Sequence, residues 1–385
     1  MPRVRLTGAT TATLMRERFG FDPTHGFDLS ALLQVGPPGD EPADLDSFWA
    51  GVASEAAGVD PVPQVGAWRE LEPGIEAADL SYHSVDGVRI GGWVTRPAAS
   101  GGASGKDVGD AVSRVVVVGH GYGGRDAPTL ADVPHDAGAV FPVARGLPTR
   151  SEVPGVGGAT GVHHVLWGIH SPRTYSHVGS VADVWLAARV ARMVFPGARQ
   201  VSYVGASFGG GIGALALGFG DCFDAGVLEV PSFGHHPWRV AVPSTGSASR
   251  VRERVREHPA VLRTLWYADA ATAALRVRVP VLVLPALADP SVPVPGQFAV
   301  ANALAGPTWV HVLPHGHCSG GDGCEDAGRA EAIAEFLADV WAARGCQLPP
   351  FARPDRYRDR PPDSEPPRLR GLDHQRVDET GEAFV

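Results

Sequence analysis

The chain has few cysteines, no excess of positive charge and no long apolar run, and each absence excludes a class of protein. Four cysteines among 385 residues are too few for a disulfide framework, so we expect a cytoplasmic protein with mostly reduced thiols. The net charge of -9 gives no electrostatic reason to expect nucleic acid as a partner. No apolar run approaches the roughly 20 residues that a membrane span needs, and the first twenty residues lack the apolar core of a signal peptide.

The most informative stretch is residues 200–217, in which a strand-like run, a serine turn and a helix-like run follow one another. The first run is β-branched and aromatic, and the last is small and apolar. Between them, Gly205, Ser207 and Gly209 match the G-x-S-x-G nucleophile elbow. A serine that attacks a carbonyl projects from a sharp strand-to-helix turn, where glycines leave room for the neighbouring backbone. We therefore interpret Ser207 as a nucleophile, with an ordinary Gly-Ser turn as the alternative.

A serine nucleophile needs a base, and the base needs a group that holds its tautomer. Asp289 follows a strand predicted over residues 279–286, and His317 follows one predicted over residues 309–313. Both lie beyond the carboxyl ends of predicted strands, the edge at which open α/β sheets place their sites. We predict a triad of Ser207, His317 and Asp289. The alternatives are a turn role for Asp289 in its Asp-Pro pair and a loop histidine without a role.

An ester-cleaving serine also needs two N–H donors for the oxyanion that forms during attack. The backbone N–H of Phe208, at the start of the helix, would point at that oxygen. Residues 120–124 read His-Gly-Tyr-Gly-Gly and follow a buried strand predicted over residues 114–119. We assign the second donor to the backbone N–H of Tyr122, with an ordinary glycine-rich turn as the alternative.

Strands and helices alternate from about residue 114 to residue 343. This alternation predicts an α/β fold with a mostly parallel, doubly wound sheet and helices on both faces. Before it, residues 76–97 predict a β-hairpin around an Asp-Gly turn. Residues 143–175 form a long Gly/Pro/His-rich loop, and loops of that length are usually functional or mobile.

Composition divides the chain into three parts. Residues 1–43 are rich in proline, glycine and threonine, and we expect an irregular arm or cap. Residues 44–346 form the main domain, which opens with a helix after Asp44. Residues 347–385 are rich in proline and charge and poor in apolar residues, which predicts an extended or disordered tail.

A second constellation of side chains competes for His317. His315, His317, Cys318 and Cys324 lie within ten residues, and such clusters can bind zinc. The spacing matches no common zinc pattern, and ligands at adjacent positions strain tetrahedral geometry, so we favour the triad over a metal site. A Cys318–Cys324 disulfide stays open under oxidising conditions. The remaining histidines of interest are expected to line loops or a pocket: His163, His164, His170, His177, His235 and His236.

A longer series of motifs follows the same order as in a known family. It comprises residues 44–49, 88–93, 120–124, 145–146, 168–169 with Tyr175, 205–210, 267–269, Asp289 with Pro293, and 314–317. Over roughly residues 40–343 the chain resembles the acetyl xylan esterase and cephalosporin C deacetylase family, carbohydrate esterase family seven, within the α/β-hydrolases. The resemblance implies Ser207 as nucleophile, His317 as base, Asp289 as its partner, and the amides of Tyr122 and Phe208 as oxyanion donors.

The resemblance also implies what the protein acts on and how it assembles. Members hydrolyse small acyl esters, chiefly acetyl groups on sugars or antibiotic-like scaffolds, with no metal or cofactor, and often form homo-oligomers. Four positions depart from the family pattern: Phe208 replaces a glutamine, Leu147-Pro148 replaces Gln-Gly, and Cys318 replaces an acidic residue. These changes leave the triad intact and bear on specificity for acetylated sugars.

We therefore expect a serine esterase for short-chain, chiefly acetyl, esters of a sugar or natural-product scaffold. One alternative is another acyl chemistry with the same triad: a lactonase, a peptidase-like hydrolase or an acyltransferase. The other is a non-catalytic binding protein on this fold. Aromatic side chains are the candidates for the pocket wall, with core packing as their alternative role: Tyr122, Trp167, Phe233, Trp238 and Trp266.

Overall fold

A ten-stranded mixed sheet organises the structure, a computed structural model that describes residues 16–98, 109–153, 156, 161–317 and 327–343. In chain order the strands are β1 Gln64–Val65, β2 Arg69–Glu72, β3 Ile75–His83, β4 Arg89–Pro97, β5 Arg114–Val118, β6 Gly138–Pro142, β7 Gln200–Ala206, β8 Ala225–Glu229, β9 Val281–Leu284 and β10 Thr308–Val310. Across the sheet the order is β1-β3-β4-β6-β5-β7-β8-β9-β10, and β2 pairs with β3.

Helices cover both faces of this sheet. They are α1 Leu29–Leu32, α2 Leu45–Gly58, α3 Gly161–His164, α4 Ser176–Val194, α5 Phe208–Phe219, α6 His236–Ala241, α7 Gly246–Glu257, α8 Val261–Trp266, α9 Ala270–Ala274, α10 Val294–Ala303 and α11 Ala327–Ala342. The strands from β5 onward pair in parallel, whereas β1 to β4 pair antiparallel. The predicted α/β fold with a mostly parallel sheet is confirmed.

The sequence located most elements and misjudged a few. The predicted hairpin is β3 and β4, which pair along their whole length. The strand predicted over residues 279–286 is shorter, because a proline lies on each side of Val281–Leu284. The strand predicted over residues 309–313 ends at Val310, and Leu313 keeps only an isolated bridge to Ala286.

The main core lies between the sheet and its helices. Four consecutive valines of β5 are buried, as is most of α4, because both elements face packed neighbours along their length. Trp49 of α2 stacks on Phe219 of α5, with 4.8 Å between ring centroids. The indole N–H of Trp49 donates to the Tyr267 carbonyl at 2.9 Å, so this large side chain buries no unpaired donor.

The described part of the N-terminal arm, residues 16–43, packs on the main domain. Leu32 is fully buried and packs with Phe298 of α10. The side-chain amide of Asn302 donates to the carbonyls of Leu32 and Val35, at 3.0 and 2.9 Å. The remainder of the arm and the tail at 347–385 lie outside the described residues, as do Cys318 and Cys324.

A buried ion pair joins α4 to the segment that follows β6. The guanidinium of Arg145 donates to both oxygens of Asp183, at 2.9 Å from Nε and 2.7 Å from Nη2. Both side chains are nearly inaccessible, at 5% and 3% exposure. The hydroxyl of Ser84 also donates to Asp183. A bidentate pair of this kind is well satisfied, and removal of one partner leaves a buried charge alone.

Asp183→Asn is expected to lower the free energy of unfolding by about 3–5 kcal/mol, since the buried charge of Arg145 would keep only the exposed Asp86 carboxylate, 3.2 Å from its Nη1, as a counter-ion. The matched control is Glu55→Gln, which breaks the exposed pair of Glu55 with Arg173 and is expected to change stability by less than about 1 kcal/mol. Urea unfolding followed by circular dichroism measures both. Equal effects of the two substitutions would contradict a structural role for the buried pair.

Candidate active site

Ser207 lies at the turn between β7 and α5 with a backbone conformation that side chains rarely adopt. Its φ is 56° and its ψ is -114°. Such a residue persists only where its surroundings determine its conformation. Here the Ser207 N–H donates to the carbonyl of Glu229 at 2.9 Å, and the Ser207 carbonyl accepts from the N–H groups of Gly211 and Ser232, each at 3.0 Å. The neighbouring strand and the helix therefore hold the turn from both sides.

Two glycines allow the turn to close. A Cβ atom on Gly205 would lie 2.7 Å from the backbone of Gly209, and one on Gly209 would lie 2.9 Å from the backbone nitrogen of His120. Real Cβ atoms essentially never approach backbone atoms this closely. The prediction that Gly205 and Gly209 leave room for neighbouring backbone is confirmed.

The structure brings Ser207, His317 and Asp289 together. Nε2 of His317 lies 2.8 Å from Oγ of Ser207, and Nδ1 of His317 lies 2.8 Å from Oδ2 of Asp289. A carboxylate only accepts, so Nδ1 carries the imidazole proton and Nε2 is free to accept from the serine hydroxyl. These are the contacts that a serine nucleophile, a general base and an orienting acid require.

Asp289 is fully buried and its oxygens are saturated with donors. Oδ1 accepts from the N–H groups of Ser291 and Val292, at 2.8 and 2.9 Å. Oδ2 accepts from Nε2 of Gln297 at 3.0 Å, in addition to His317. The turn role and the triad role of Asp289 are therefore compatible, because one oxygen serves the turn and the other faces His317. Gln297, one turn into α10, carries no sequence signal that would have identified it.

The N-terminal arm reaches the same aspartate. The Asp289 N–H donates to the carbonyl of Pro23 at 2.9 Å. His25, two residues further on, lies beside Pro243, with 3.0 Å between its Nε2 and that carbonyl oxygen. Since a carbonyl only accepts, Nε2 of His25 donates. The sequence indicated an arm but gave no sign that it borders the site.

The charge environment of His317 favours the protonated imidazole. Burial alone would lower its pKa, but the Asp289 carboxylate, with a smaller contribution from Glu229, outweighs burial and holds the pKa above the ordinary 6.5. Glu229 is itself paired with Arg329 of α11, which also binds Asp132. An imidazole with a raised pKa is a stronger base towards the proton of a serine hydroxyl.

The loop at residues 120–124 passes next to the nucleophile. A Cβ atom on Gly121 would lie 3.8 Å from Cβ of Ser207. His120 fixes the loop, because its Nδ1–H donates to the Gly121 carbonyl at 2.7 Å and its Nε2 accepts from Ala144 at 2.9 Å. Burial lowers the pKa of His120 to about 4, which keeps this imidazole neutral. On the other side of the serine, Phe208 opens α5, where the first N–H groups have no intrahelical partner.

The predicted pocket residues do not all lie together. Tyr122 packs on Phe208, with 4.4 Å between ring centroids, and Phe233 lies 6.4 Å from Tyr122. Trp167 packs on His164 at 6.1 Å. Trp238 instead packs on Phe27 of the arm at 5.1 Å. Trp266, at the end of α8, has no ring contact with this cluster among the described residues, so its pocket role stays a prediction.

Buried polar side chains continue this aromatic cluster. The hydroxyls of Tyr122 and Tyr175 lie 2.7 and 3.3 Å from Nε2 of His177. His164 and His177 pack on the ring of Phe208, at 5.4 and 5.8 Å. The expectation that these histidines line a pocket rather than bind metal agrees with their partners, which are rings and hydroxyls. Tyr175 carried a sequence signal only through the family resemblance.

His317, the central residue of the alternative zinc site, already has other partners. Both ring nitrogens of His317 have partners in Ser207 and Asp289. Within the part of the chain that the structure describes, no cluster of three potential ligands occurs. Cys318 and Cys324, the other candidate ligands, lie outside that part.

Residues 25–329 match the sequence model of the acetyl xylan esterase family. The chain belongs to this family. Among solved structures, acetyl xylan esterase from Paenibacillus sp. R4 superposes with a TM-score of 0.69 and 24% identity, over 81% of this chain and 99% of that chain. Acetyl xylan esterase 1 from Thermoanaerobacterium sp. JW/SL YS485 superposes with a TM-score of 0.68 and 21% identity, over 82% of this chain and 99% of that chain. No curated protein sequence matches the chain significantly.

A more distant likeness defines the fold class. Pyrococcus horikoshii acylaminoacyl peptidase superposes with a TM-score of 0.51 and 16% identity, over 71% of this chain and 42% of that chain. At such identities the solved structures establish the fold, which is that of the α/β-hydrolases. The family establishes the reaction: the protein is a carboxylic ester hydrolase, a serine esterase for acetyl esters. None of the helices in the described ranges is long and apolar enough to cross a membrane.

Gly209→Ala is expected to reduce esterase activity by at least tenfold and stability by about 1–3 kcal/mol, because the new Cβ would push the His120 loop away from Ser207. Gly123→Ala is the matched control in the His120 loop, since a Cβ atom at that position meets nothing within 4 Å. Thermal unfolding and p-nitrophenyl acetate hydrolysis report both effects. An active, stable Gly209→Ala protein would show that the turn tolerates a wider separation.

Proposed function

We propose that Ser207, His317 and Asp289 form the catalytic triad of this esterase. The observation that carries the proposal is the position of the His317 ring, with one nitrogen 2.8 Å from the Ser207 hydroxyl and the other 2.8 Å from the Asp289 carboxylate. His317 takes the serine proton as Oγ attacks the ester carbonyl. Asp289 holds the tautomer and stabilises the imidazolium that results.

The oxyanion of the tetrahedral intermediate accepts hydrogen bonds from the backbone N–H groups of Tyr122 and Phe208. The closeness of the 120–124 loop to Ser207 and the free N–H groups at the start of α5 support this assignment. His317 then donates its proton to the leaving alcohol, and the acyl group stays on Ser207. Water, deprotonated by His317, attacks the acyl-enzyme and releases the acid and the serine.

The substrate that we propose is an acetyl ester of a sugar or of a natural-product scaffold. Membership in the acetyl xylan esterase family supports the acetyl group. The ring of Tyr122 is partly exposed and offers apolar surface to a scaffold, and it packs on the buried rings of Phe208 and Phe233. Phe208 stands where the family pattern has a glutamine, so a side chain that could hydrogen-bond a sugar is lost, which favours a less polar alcohol than a plain sugar.

We further propose that the enzyme acts in the cytoplasm as a homo-oligomer with three parts: an arm at 1–43, the hydrolase domain at 44–346 and a tail at 347–385. The small number of cysteines supports a reducing compartment. Burial raises the pKa of the Cys222 thiol to about 12, which suits a thiol that stays reduced. Sedimentation of the purified full-length chain measures the assembly.

Ser207→Ala is expected to reduce kcat for p-nitrophenyl acetate by on the order of 10⁶, because the nucleophile of a triad is lost. The control is Ser249→Ala, a half-buried serine of α7 whose hydroxyl donates to the Gly246 carbonyl of its own helix, and it is expected to leave kcat unchanged. Spectrophotometric assays of both variants measure kcat relative to that of the wild type. Equal turnover by wild type and Ser207→Ala would remove Ser207 from the mechanism.

The pH profile is expected to show an acid limb set by His317. Only the neutral imidazole accepts the serine proton, so kcat/KM rises with pH through the pKa of His317, above 6.5. Asp289→Asn removes the main charge that raises this pKa; the limb then moves to lower pH, with kcat reduced about 10⁴-fold.

Glu229→Gln removes the smaller charge contribution and leaves the triad in place. Its acid limb is expected to move to lower pH by less than that of Asp289→Asn, at a nearly unchanged plateau, and Arg329 keeps Asp132 as a partner. Initial rates between pH 5 and pH 9 measure both limbs. A limb that stays in place in Asp289→Asn would mean that another group controls it.

A further inference from the structure

Arg239 of α6 is a buried cation that pairs with no carboxylate of the described residues. Its residue is 3% exposed, and its Nη1 has no hydrogen-bond partner. Across the described residues, no carboxylate forms a salt bridge with this guanidinium. Arg145, another buried arginine, shows the contrast, because it is held by both oxygens of Asp183. An arginine stays charged under all ordinary conditions, so Arg239 keeps a charge that the fold does not neutralise by contact.

Asp269 is the carboxylate that acts on Arg239 from a distance. Its oxygens are occupied elsewhere: Oδ2 accepts from the His236 N–H at 2.7 Å, and Oδ1 accepts from the N–H groups of Ala271 and Thr272 at 2.9 and 3.0 Å. Asp269 thus caps α9 and fixes the start of α6. Burial raises its pKa to about 6, which weakens it further as a counter-charge.

The guanidinium lies against the aromatic cluster beside Ser207. Its Cζ is 4.9 Å from the ring centroid of Phe233. That ring lies 4.0 Å from the ring of His177 and 5.9 Å from the ring of Phe208. Phe208 follows the nucleophile directly in sequence. A single aromatic ring therefore separates the unpaired cation from the residue that flanks the attacking hydroxyl.

Other unpaired polar atoms share this location. Nδ1 is buried without a partner in His164, His177 and His236. Nε2 of His164 and Nε2 of His236 face carbonyl oxygens and so carry the protons, which makes each Nδ1 an unused acceptor. Buried polar atoms are normally satisfied by protein, water or ligand. The rings of His164 and His177 pack on Phe208, so these unused acceptors lie beside the residue that follows Ser207. A carboxylate only accepts, so it would pair with the Arg239 guanidinium and not with them.

We propose that Arg239 is a specificity residue that binds a carboxylate in the alcohol part of the acetyl ester. A carboxylate matches the planar fork of a guanidinium and supplies the missing counter-charge. One guanidinium among neutral imidazoles suits a single negative charge rather than a phosphate dianion. The inference rests on the proposed function, because it places the acetyl group at Ser207 and the carboxylate beyond Phe233.

Two matched esters test the proposal: 4-acetoxybenzoate, which carries the carboxylate, and 4-acetoxybenzamide, its neutral isostere. Arg239→Met is expected to lower kcat/KM for the benzoate ester by about 10- to 100-fold, the range of a charge-assisted hydrogen bond. For the benzamide ester, kcat/KM is expected to stay within about threefold of the wild-type value. Arg239→Lys keeps the charge but not the planar fork of the guanidinium, and its kcat/KM for the benzoate ester is expected to lie between those of wild type and Arg239→Met. The ratio of variant to wild type cancels the different intrinsic reactivities of the two esters.

If the role of Arg239 is purely structural, Arg239→Met lowers kcat/KM for both esters by the same factor, and that result overturns the proposal. If Arg239→Met fails to fold, wild-type competition decides: benzoate is expected to inhibit phenyl acetate hydrolysis at concentrations where benzamide does not, and equal inhibition overturns the proposal. Ser207→Ala separates the two levels of inference. Benzamide-ester turnover that survives in Ser207→Ala refutes the triad, whereas Ser207-dependent turnover without a carboxylate preference refutes only the role of Arg239.

Discussion

The strained backbone at Ser207 is the constraint on which the surrounding structure depends. A φ of 56° at a residue with a side chain is unfavourable by itself, and it is held by hydrogen bonds from β8 and α5. In this turn a side chain at Gly205 would meet the backbone of Gly209, and one at Gly209 would meet the His120 loop, against which α5 packs. The backbone conformation of Ser207 thus goes together with the glycine pattern and with the closeness of α5 to the His120 loop.

Two buried charges near this turn are handled in opposite ways. Asp289 receives four donors, from two backbone amides, Gln297 and His317, so its charge is stabilised and its orientation fixed. Among the described residues, no carboxylate accepts from Arg239; its Nη1 has no partner, and its guanidinium lies over the ring of Phe233. The difference fits two kinds of role. A group that orients a neighbour must not move or change partner, whereas a group that recognises a ligand must keep its donors available.

The sequence predicted what depends on local pattern. Continuous apolar runs indicated the parallel strands, and the elbow glycines indicated the turn around Ser207. It missed β1 and β2 because both are exposed, short and polar, so no alternation marks them. It could not identify Gln297, Pro23 or Arg239, whose importance comes from neighbours far away along the chain. The sequence left a turn role and a triad role open for Asp289, and in the structure one oxygen accepts from the turn amides while the other contacts His317.

The contact between Pro23 and Asp289 has a consequence for the order in which the protein becomes an enzyme. The arm is made first, while Asp289, Gln297 and His317 are made near the end of the hydrolase domain, and the arm's carbonyl fixes the backbone of the acid. Contacts between such distant residues form late, since a long loop must close before they contribute. Until both ends of the domain have met, the Asp289 N–H therefore lacks the Pro23 carbonyl, and the surroundings of the carboxylate that contacts His317 stay incomplete.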